Sequence, residues 1–341
     1  MTPDIVRDFV LNFLGIVWEA LPFIILGALI AGILEEVLPQ QALAKLLPNH
    51  FVPAVLIGGC LGLVFPMCEC GIVVVMRRLL RKGLPLSCCV SYMLAGPIVN
   101  LIVLGSTAVA FAPHSTLDKQ SLGVPMVALR ATLGFTVAVL TGFVVHGLQS
   151  RSKPGALLKL AADAPKPALS LNVLDAPAAE PKKPLMTRLS NISGTALNDF
   201  VDITVFLIIG SAISALVRVD PNTVGQLEAI SRDQPLLAIP LMMAMAFVMC
   251  LCSEADAFLA SSFVGMGISA RLAFLVFGPM LDIKLLLMYT RVFRWKLIGV
   301  IVSCVTLFTL LLCVVVHAGY NPAMPGTARP TEVNVPTPTG K

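Results

Sequence analysis

Apolar stretches of membrane-spanning length recur along this chain, and short polar breaks separate them. A helix needs roughly 20 apolar residues to cross a bilayer core about 30 Å thick. Lipid offers no hydrogen bonds, so only helices and closed barrels can span it. The two-residue alternation of a barrel strand is absent, and 57% of the residues are hydrophobic while only 13% are charged. The sequence therefore predicts an all-α integral membrane protein.

Hydropathy predicts about eight transmembrane helices. They cover residues 9–34, 52–76, 86–111, 123–148, 198–218, 235–262, 270–290 and 297–317. Between the fourth and fifth spans, residues 149–197 are rich in proline, alanine and lysine, a composition that predicts a flexible cytoplasmic linker. Residues 318–341 are rich in proline and threonine and are predicted to be a disordered tail. The four spans in 9–148 and the four in 198–317 then form two domains.

The two groups of spans share a pattern that indicates an internal repeat. The motif Cys68–Cys70 (Cys-Glu-Cys) is followed, 26 positions after its second cysteine, by Gly96–Asn100 (Gly-Pro-Ile-Val-Asn). The motif Cys250–Cys252 (Cys-Leu-Cys) is followed at the same interval by Gly278–Asp282 (Gly-Pro-Met-Leu-Asp). Four spans in each half would make the repeats parallel, whereas an odd number would make them inverted.

The lysines and arginines predict the orientation, because cytoplasmic loops carry an excess of both. With eight single spans, the cluster Arg77–Lys82, the linker and both termini fall on the cytoplasmic side. Arg291, Arg294 and Lys296 would then lie outside. Either that loop is an exception or one apolar segment is re-entrant. We expect a multi-pass protein of the bacterial cytoplasmic membrane.

Charged and polar residues inside the predicted spans indicate a polar pathway. A charged side chain at the centre of a membrane helix costs at least about 2.5–3.5 kcal/mol, so it faces protein or water. The residues of this kind are Glu19, Glu69, Asn100, Arg130, Asp202, Glu254, Asp256, Asp282 and Lys284. We expect Glu69, Glu254, Asp256 and Asp282 to carry protons or balance charge. The alternative is packing alone, in which Arg130 or Lys284 pairs with Asp256 or Asp282.

Most of the nine cysteines lie inside apolar spans, which predicts reduced thiols rather than disulfides. Thiolates bind soft metals and metalloids. The cysteines that the repeat duplicates, Cys68, Cys70, Cys250 and Cys252, are therefore expected to bind substrate, and a soft metalloid fits Cys68 and Cys70. Pro66 weakens a regular helix and could turn both sulfurs toward one cavity. The other five cysteines are read as small apolar packing residues.

Two Gly-Pro pairs, Gly96-Pro97 and Gly278-Pro279, interrupt predicted spans. Proline removes a helix hydrogen bond and frees a carbonyl in the preceding turn. Transporters expose such freed backbone groups to substrate. Asn100 follows the first pair by about one turn and is expected to contact substrate in the same cavity. The alternative is a packing kink at each pair.

These motifs resemble those of the predicted bacterial permeases related to ArsP. The matching segments are Pro-x-Cys-x-Cys-Gly, Arg-Arg-Leu-Leu-Arg-Lys-Gly, Gly-Pro-Ile-Val-Asn, Cys-Ser-Glu-Ala-Asp-Ala-Phe and Gly-Pro-Met-Leu-Asp-Ile-Lys. The resemblance covers both halves and excludes the linker and the tail. It implies eight spans and, in the arsenical branch of the family, efflux of trivalent organoarsenicals in exchange for protons. It also implies that cysteines bind arsenic and that carboxylates carry the protons.

We therefore expect a secondary efflux permease for a small soft solute, with no enzymatic activity and no cofactor. One alternative is a membrane thiol oxidoreductase that uses the Cys-x-Cys pairs. Others are a permease for a different solute, a subunit of a larger membrane complex and an intramembrane hydrolase, although no motif of that last class is present. The expected partners are membrane lipid and a small-molecule or metalloid substrate, with no nucleic acid. The sequence leaves a homo-oligomer open.

Overall fold

The computed structural model describes residues 3–37, 50–64, 67–112, 123–151, 157–158, parts of 193–215, 234–263 and 266–320. These residues form α1 (Pro3–Val37), α2 (Phe51–Val64), α3 (Glu69–Arg81), α4 (Leu86–Ala95), α5 (Leu101–Ala110), α6 (Gly123–Arg151), α7 (Pro235–Met249), α8 (Ser253–Ser262), α9 (Ile268–Phe277), α10 (Ile283–Val292) and α11 (Trp295–Tyr320). Further helical residues occur within 193–215. No strand is present in these ranges, so the all-α prediction is confirmed for them.

Three of the described helices are long and apolar enough to cross a membrane. They contain Phe9–Ile30, Gly123–Arg151 and Trp295–Gly319, with mean hydropathies of 2.2, 1.8 and 2.8. Most of the other apolar helices have only 10 to 17 residues. Several apolar helices are thus consistent with a membrane protein, but the arrangement of eight uninterrupted spans is not confirmed.

Helices α2 and α3 form a hairpin against α4. Gly58 of α2 packs on the backbone of Cys88, and Gly62 packs on the backbone of Gly96 at the other end of α4, so α2 and α4 run parallel. A four-residue turn joins α3 to α4, and Ile72 near the start of α3 also lies against Gly96. Helix α3 is therefore antiparallel to α4 and to α2.

Helices α7 and α8 form a second hairpin, against α9. Ala246 near the end of α7 and Asp256 near the start of α8 both lie against Gly278, which follows α9 directly. A short turn joins α8 back to the start of α9. The segments predicted as single spans over 52–76 and 235–262 are therefore two hairpins.

The interrupted helices α4–α5 and α9–α10 keep one direction across their breaks. Helix α6 packs along both α4 and α5, since Gly142 lies against Ser87 and Gly123 lies against Ala108. Helices α4 and α5 thus act as one interrupted helix that runs antiparallel to α6, and the segment Gly96–Asn100 is the interruption.

Helix α11 has the same relation to α9 and α10. The Ser269 hydroxyl at the start of α9 lies 3.2 Å from Nδ1 of His317 at the end of α11, and α10 leads almost directly into α11. The order of hairpin, interrupted helix and long helix seen in 51–151 therefore recurs in 235–320. Helices α4 and α9 are buried along nearly their whole length and form the centre of the molecule.

Several predictions concern residues at the edges of the described ranges. Helix α6 extends to Arg151 and α11 to Tyr320, past the predicted ends of their spans. Most of the predicted linker and residues 321–341 of the predicted tail lie outside the described residues, as do Pro66 and Asp202 and the side chain of Glu19.

Candidate functional site

The two hairpins meet at their tips, where α3 and α8 begin. The Ser253 hydroxyl donates a hydrogen bond of 2.8 Å to Oε2 of Glu69. Cys68 and Cys252 occupy the extended N-cap positions of these helices, and the Cys252 sulfur accepts from the backbone N–H of Ala255 at 3.4 Å. Because helix N-termini carry partial positive charge, both tips favour a negative group between them.

Lys284 ties the first turn of α10 to both tips. Its Nζ donates to Oε1 of Glu69 at 2.9 Å and lies 3.4 Å from Oδ2 of Asp282. It also donates to the carbonyls of Cys250 at 3.0 Å and Leu251 at 3.3 Å. The Lys284 and Glu69 side chains are 3% and 1% exposed. A buried charge pair persists only with further hydrogen bonds, and these carbonyls provide them.

The backbone of Cys250 adopts an unusual conformation beside Lys284. Its φ of 50° is the one positive φ among the described residues other than glycine. The left-handed conformation costs a residue with a Cβ about 1–2 kcal/mol. It ends α7 sharply, and the two carbonyls that follow the helix accept from Lys284.

Arg130 of α6 connects the second tip to α5. Its Nη1 donates to Oγ1 of Thr107 at 2.7 Å, and its Nη2 donates to the carbonyl of Ser253 at 2.9 Å. The side chain is fully buried. This guanidinium therefore fixes the first residue of α8 against two helices of the preceding repeat unit.

Asn100 and Asp282 hold the helices that follow the two Gly-Pro breaks. Oδ1 of Asn100 accepts from the N–H of Val103 at 2.9 Å, and Oδ1 of Asp282 accepts from the N–H of Leu285 at 2.6 Å. Each is the N-cap of its helix, α5 or α10. The Asn100 amide also donates to the carbonyl of Gly96 at 3.4 Å, across the break.

A small pocket lies where the hairpin tips meet α1. Its lining residues are Ile16, Ala20, Cys68, Glu69, Cys70, Cys250, Cys252 and Lys284. The structure thus brings together the four cysteines singled out in the sequence. Asn100, Glu254, Asp256 and Asp282 do not line this pocket.

All nine cysteines are free. Cys68 and Cys70 both line the pocket, so both residues of the first Cys-x-Cys motif face one cavity. Cys68, Cys70 and Cys250 are buried, and Cys252 is half-buried. Within the described part of the chain, no three histidine, cysteine or acidic side chains are arranged to hold a metal ion.

The pairing of Glu69 with Lys284 was not predicted from the sequence. The alternative to a polar pathway was that Arg130 or Lys284 pairs with Asp256 or Asp282 for packing alone, and Lys284 Nζ does lie 3.4 Å from Oδ2 of Asp282. Glu69 lies 215 positions away along the chain, and no local pattern links the two. The roles of Ser253 and Thr107 also have no sequence signal, since a hydroxyl near a helix end is common.

The model of the family ArsP_1, described as a predicted permease, matches residues 6–318. The UPF0718 protein YcgR of Bacillus subtilis strain 168 is 35% identical over 302 residues, which cover 87% of this chain and 93% of the relative. A protein of Streptococcus mutans serotype c, named a putative two-component membrane permease complex subunit, is 32% identical over 318 residues, covering 92% of this chain and 96% of that protein. No solved structure matches.

Proposed function

Because the chain belongs to the ArsP_1 family of predicted permeases, we propose that it moves a small soft solute across the bacterial cytoplasmic membrane. The solute binds in the pocket where the two hairpin tips meet. Trivalent arsenicals such as methylarsenite are the class that we propose, and efflux is the direction. The protein acts as a transporter and not as an enzyme.

One observation carries this proposal: four thiols from two distant parts of the chain line a single pocket. Thiolates prefer soft metals and metalloids over hard cations. Cys68 and Cys70 come from the first tip, and Cys250 and Cys252 from the second. A solute held between the tips therefore contacts both halves, which is the place where repeat transporters bind their substrates.

The charged groups around the pocket complete the proposed mechanism. Glu69 and Lys284 line the pocket with the thiols and form a neutral pair. Glu254, Asp256 and Asp282 lie behind them and carry or balance the charge that is exchanged for the solute. The breaks at Gly96-Pro97 and Gly278-Pro279 supply flexible points at which each half moves.

For the membrane arrangement, we propose six crossings and two re-entrant hairpins. The crossings are α1, α4–α5, α6, the helical residues within 193–215, α9–α10 and α11. Helices α2 and α3 have 14 and 13 residues, or about 21 Å and 20 Å at 1.5 Å per residue. Each is shorter than the bilayer core of about 30 Å, so the hairpin tip ends inside the membrane.

The two hairpins enter from opposite faces. Phe51 at the start of α2 stacks on His146 near the end of α6, so the first hairpin enters at the face where α6 ends. The N–H of Arg294 donates to the carbonyl of Leu157, just beyond α6, at 3.0 Å. The turn between α10 and α11 is therefore at that same face, and α9 and the second hairpin begin at the other. Three crossings and one hairpin in each half make the repeats inverted.

A partner protein is a second proposal, carried by the relative from Streptococcus mutans that is named as a subunit of a two-component complex. In that case the chain moves solute only with its partner. Transport by the purified chain in liposomes would exclude this reading. A thiol oxidoreductase remains the rival from another class, and it requires the free thiols to fall below nine in mild oxidant.

The test of the proposed function is uptake into everted membrane vesicles. Methylarsenite, arsenite and a divalent soft metal are compared, with and without a proton gradient, for the wild type and Cys68→Ser/Cys70→Ser. We expect gradient-dependent accumulation of methylarsenite that the double variant loses.

The matched control is Cys88→Ser/Cys89→Ser. These two thiols are also buried and adjacent, but they lie in α4 and not in the pocket. Retained transport in this control separates a thiol contact from a general loss of packing. Wild-type protein that is inserted but accumulates none of the three solutes would contradict the soft-solute proposal.

A further inference from the structure

The carboxyl groups around the hairpin tips outnumber the cations. Glu69, Glu254, Asp256 and Asp282 lie in this region, and Arg130 and Lys284 are the cations that face them. An unpaired ionised carboxylate in a low-dielectric interior costs several kcal/mol. The two excess carboxylates therefore need a bound proton, another cation or contact with water.

Both cations already have hydrogen-bond or ion-pair partners. Lys284 contacts Glu69 at 2.9 Å, Asp282 at 3.4 Å and two backbone carbonyls. Arg130 donates to Thr107 and to the carbonyl of Ser253. Glu69 and Asp282 thus share Lys284, which leaves one excess negative charge in that group. Glu254 and Asp256 face Arg130, which leaves the second excess charge on this pair.

Asp256 is the more enclosed of these two carboxyls. The residue is 2% exposed, and its Oδ2 has no hydrogen-bond partner among the described residues. Glu254, two positions earlier on α8, also has a buried oxygen without a partner, Oε2, but the residue as a whole is only partly buried. The neutralising cation is therefore required most strongly at Asp256.

The break after α9 leaves room for this oxygen. A Cβ at Gly278 would lie 2.9 Å from Oδ2 of Asp256, so glycine lets the carboxyl approach the backbone at the break. Pro279 has no N–H, so the carbonyl of Leu275 loses its usual helical partner. A carboxylate beside an interrupted helix is an arrangement that transporters use to hold a coupling ion.

We propose that Asp256 is the site of an exchangeable monovalent cation, a proton or a sodium ion. Glu69, Lys284 and Asp282 instead form a fixed triad that joins the two halves, in which Asp282 balances charge and does not exchange an ion. This inference deepens the proposed function, because it names the carboxyl at which the coupling ion binds. The charged groups facing Asp256 are Arg130 of α6, Glu69 of α3, and Lys284 and Asp282 at the start of α10.

Two other charged groups belong to the neighbouring elements. Glu254 shares α8 with Asp256, and Arg271 of α9 donates to the carbonyl of Met266 at the turn between these helices. Helix α5, which also packs against α8, carries no ionisable side chain. The Asp256 site is therefore influenced mainly by Arg130 and by the triad.

The test is labelling of the purified full-length wild type with dicyclohexylcarbodiimide, which reacts with protonated carboxyls in apolar surroundings. The labelled residue is identified by mass spectrometry across a pH series, in choline chloride and in sodium chloride. We expect Asp256 to be labelled, and the labelling to fall as the pH rises or when sodium replaces choline. Labelling that falls with rising pH and does not change with sodium identifies a proton, whereas protection by sodium at constant pH identifies a sodium ion.

Glu69 is the internal control, because its pairing with Lys284 should keep it unlabelled in every condition. The inference is overturned if Asp256 is never labelled, or if its labelling depends on neither pH nor sodium. No transported solute is needed for this measurement. An unlabelled Asp256 in a protein that transports methylarsenite refutes the inference alone, and a labelled Asp256 in a protein that transports none of the solutes refutes only the proposed function.

In everted vesicles, Asp256→Asn supplies a second readout, because asparagine has the same shape but cannot bind the cation. We expect gradient-driven accumulation to fall to the level of vesicles without the protein, while exchange of labelled for unlabelled solute persists. Thr309→Val, which removes a buried hydroxyl without a partner elsewhere in the described structure, controls for the loss of a buried polar group.

Discussion

At the scale of single residues, Lys284 has the largest number of partners in the site. It joins the two hairpin tips and α10 through one ammonium group, with four contacts between 2.9 and 3.4 Å. A charge pair that is this deeply buried is weak evidence for stability by itself, because desolvation offsets the attraction. Removing one partner is different, since it leaves the others buried and unpaired.

We therefore predict that Lys284→Met destabilises the protein by about 3–5 kcal/mol, the cost of breaking a buried pair from one side. The double variant Lys284→Met/Glu69→Gln should lose less than the two single variants together, because it leaves no charge on either partner. Apparent melting temperatures in detergent measure this comparison. Lys296→Met, at an exposed position in α11, is the control and should change little.

The N-cap residues decide where the elements after the breaks begin. We predict that Asn100→Ala lowers the stability of the protein by about 0.5–2 kcal/mol, because the N–H of Val103 loses its acceptor. Asn100→Ser should retain most of the stability, since serine caps as well as asparagine. Thermal unfolding of the two variants measures the difference.

Transport by the same variants separates the cap from the expected substrate contact of Asn100. If capping is its whole role, Asn100→Ser retains transport. If the amide also contacts the solute, both variants lose transport although only the alanine variant is destabilised. An alanine variant as stable as the wild type would contradict the capping role.

Glycines at the helix contacts hold the first hairpin together. A Cβ at Gly62 would lie 2.7 Å from the Cα of Gly96, whereas a Cβ at Gly105 of α5 has no neighbour within 4 Å. We predict that Gly62→Ala lowers the melting temperature because two backbones must separate. Gly105→Ala should be neutral or stabilising by up to about 1 kcal/mol, the gain in helix propensity. Equal effects of the two substitutions on thermal unfolding would refute this contact.

Some of these elements follow from local chemistry, and others do not. The interruptions at Gly96 and Gly278 were predictable because a Gly-Pro pair disturbs a helix wherever it stands. The hairpins were not, because hydropathy records how apolar a segment is and carries no direction. Residues 52–76 contain enough apolar residues for one span, and only the packing of Gly58 and Gly62 against α4 shows that the chain turns back.

The residues of the candidate site also differ in whether the sequence indicated them. The four pocket cysteines were found because the repeat places them at matching positions. The triad around Lys284 was missed in part, because the contact with Glu69 depends on how two hairpin tips meet in space. A single sequence shows which residues are unusual in a membrane span, whereas their pairing depends on tertiary structure.

At the scale of the whole molecule, the inverted arrangement changes the expected orientation. The turn between α3 and α4, the end of α6 and the turn between α10 and α11 lie at one face. More than half of the chain's 24 lysines and arginines fall there or in the segment of the sequence that follows α6. They are Arg77, Arg78, Arg81, Lys82, Arg151, Lys153, Lys159, Lys166, Lys182, Lys183, Arg188, Arg291, Arg294 and Lys296. By the positive-inside rule, we propose that this is the cytoplasmic face.

The sequence had placed both termini in the cytoplasm and left Arg291, Arg294 and Lys296 outside. The two re-entrant hairpins that we propose would remove that conflict, because they would reduce the crossings in each half from four to three. Residue 3 and residue 320 then lie at the face opposite the cationic one. We predict that both ends of the chain lie on the extracytoplasmic side of the membrane and that the linker lies in the cytoplasm.

Single cysteines introduced by Thr337→Cys and Ser170→Cys test this orientation with a membrane-impermeant maleimide. In intact bacterial cells, we expect Thr337→Cys to be labelled at once and Ser170→Cys only after the membrane is permeabilised. The unmodified chain gives the background from its nine native thiols, most of which are buried. Protection of both cysteines in intact cells would restore the cytoplasmic termini. The linker and the tail would then lie on the same side of the membrane, which requires an even number of crossings in the second half, so the inverted repeat would be lost together with the orientation.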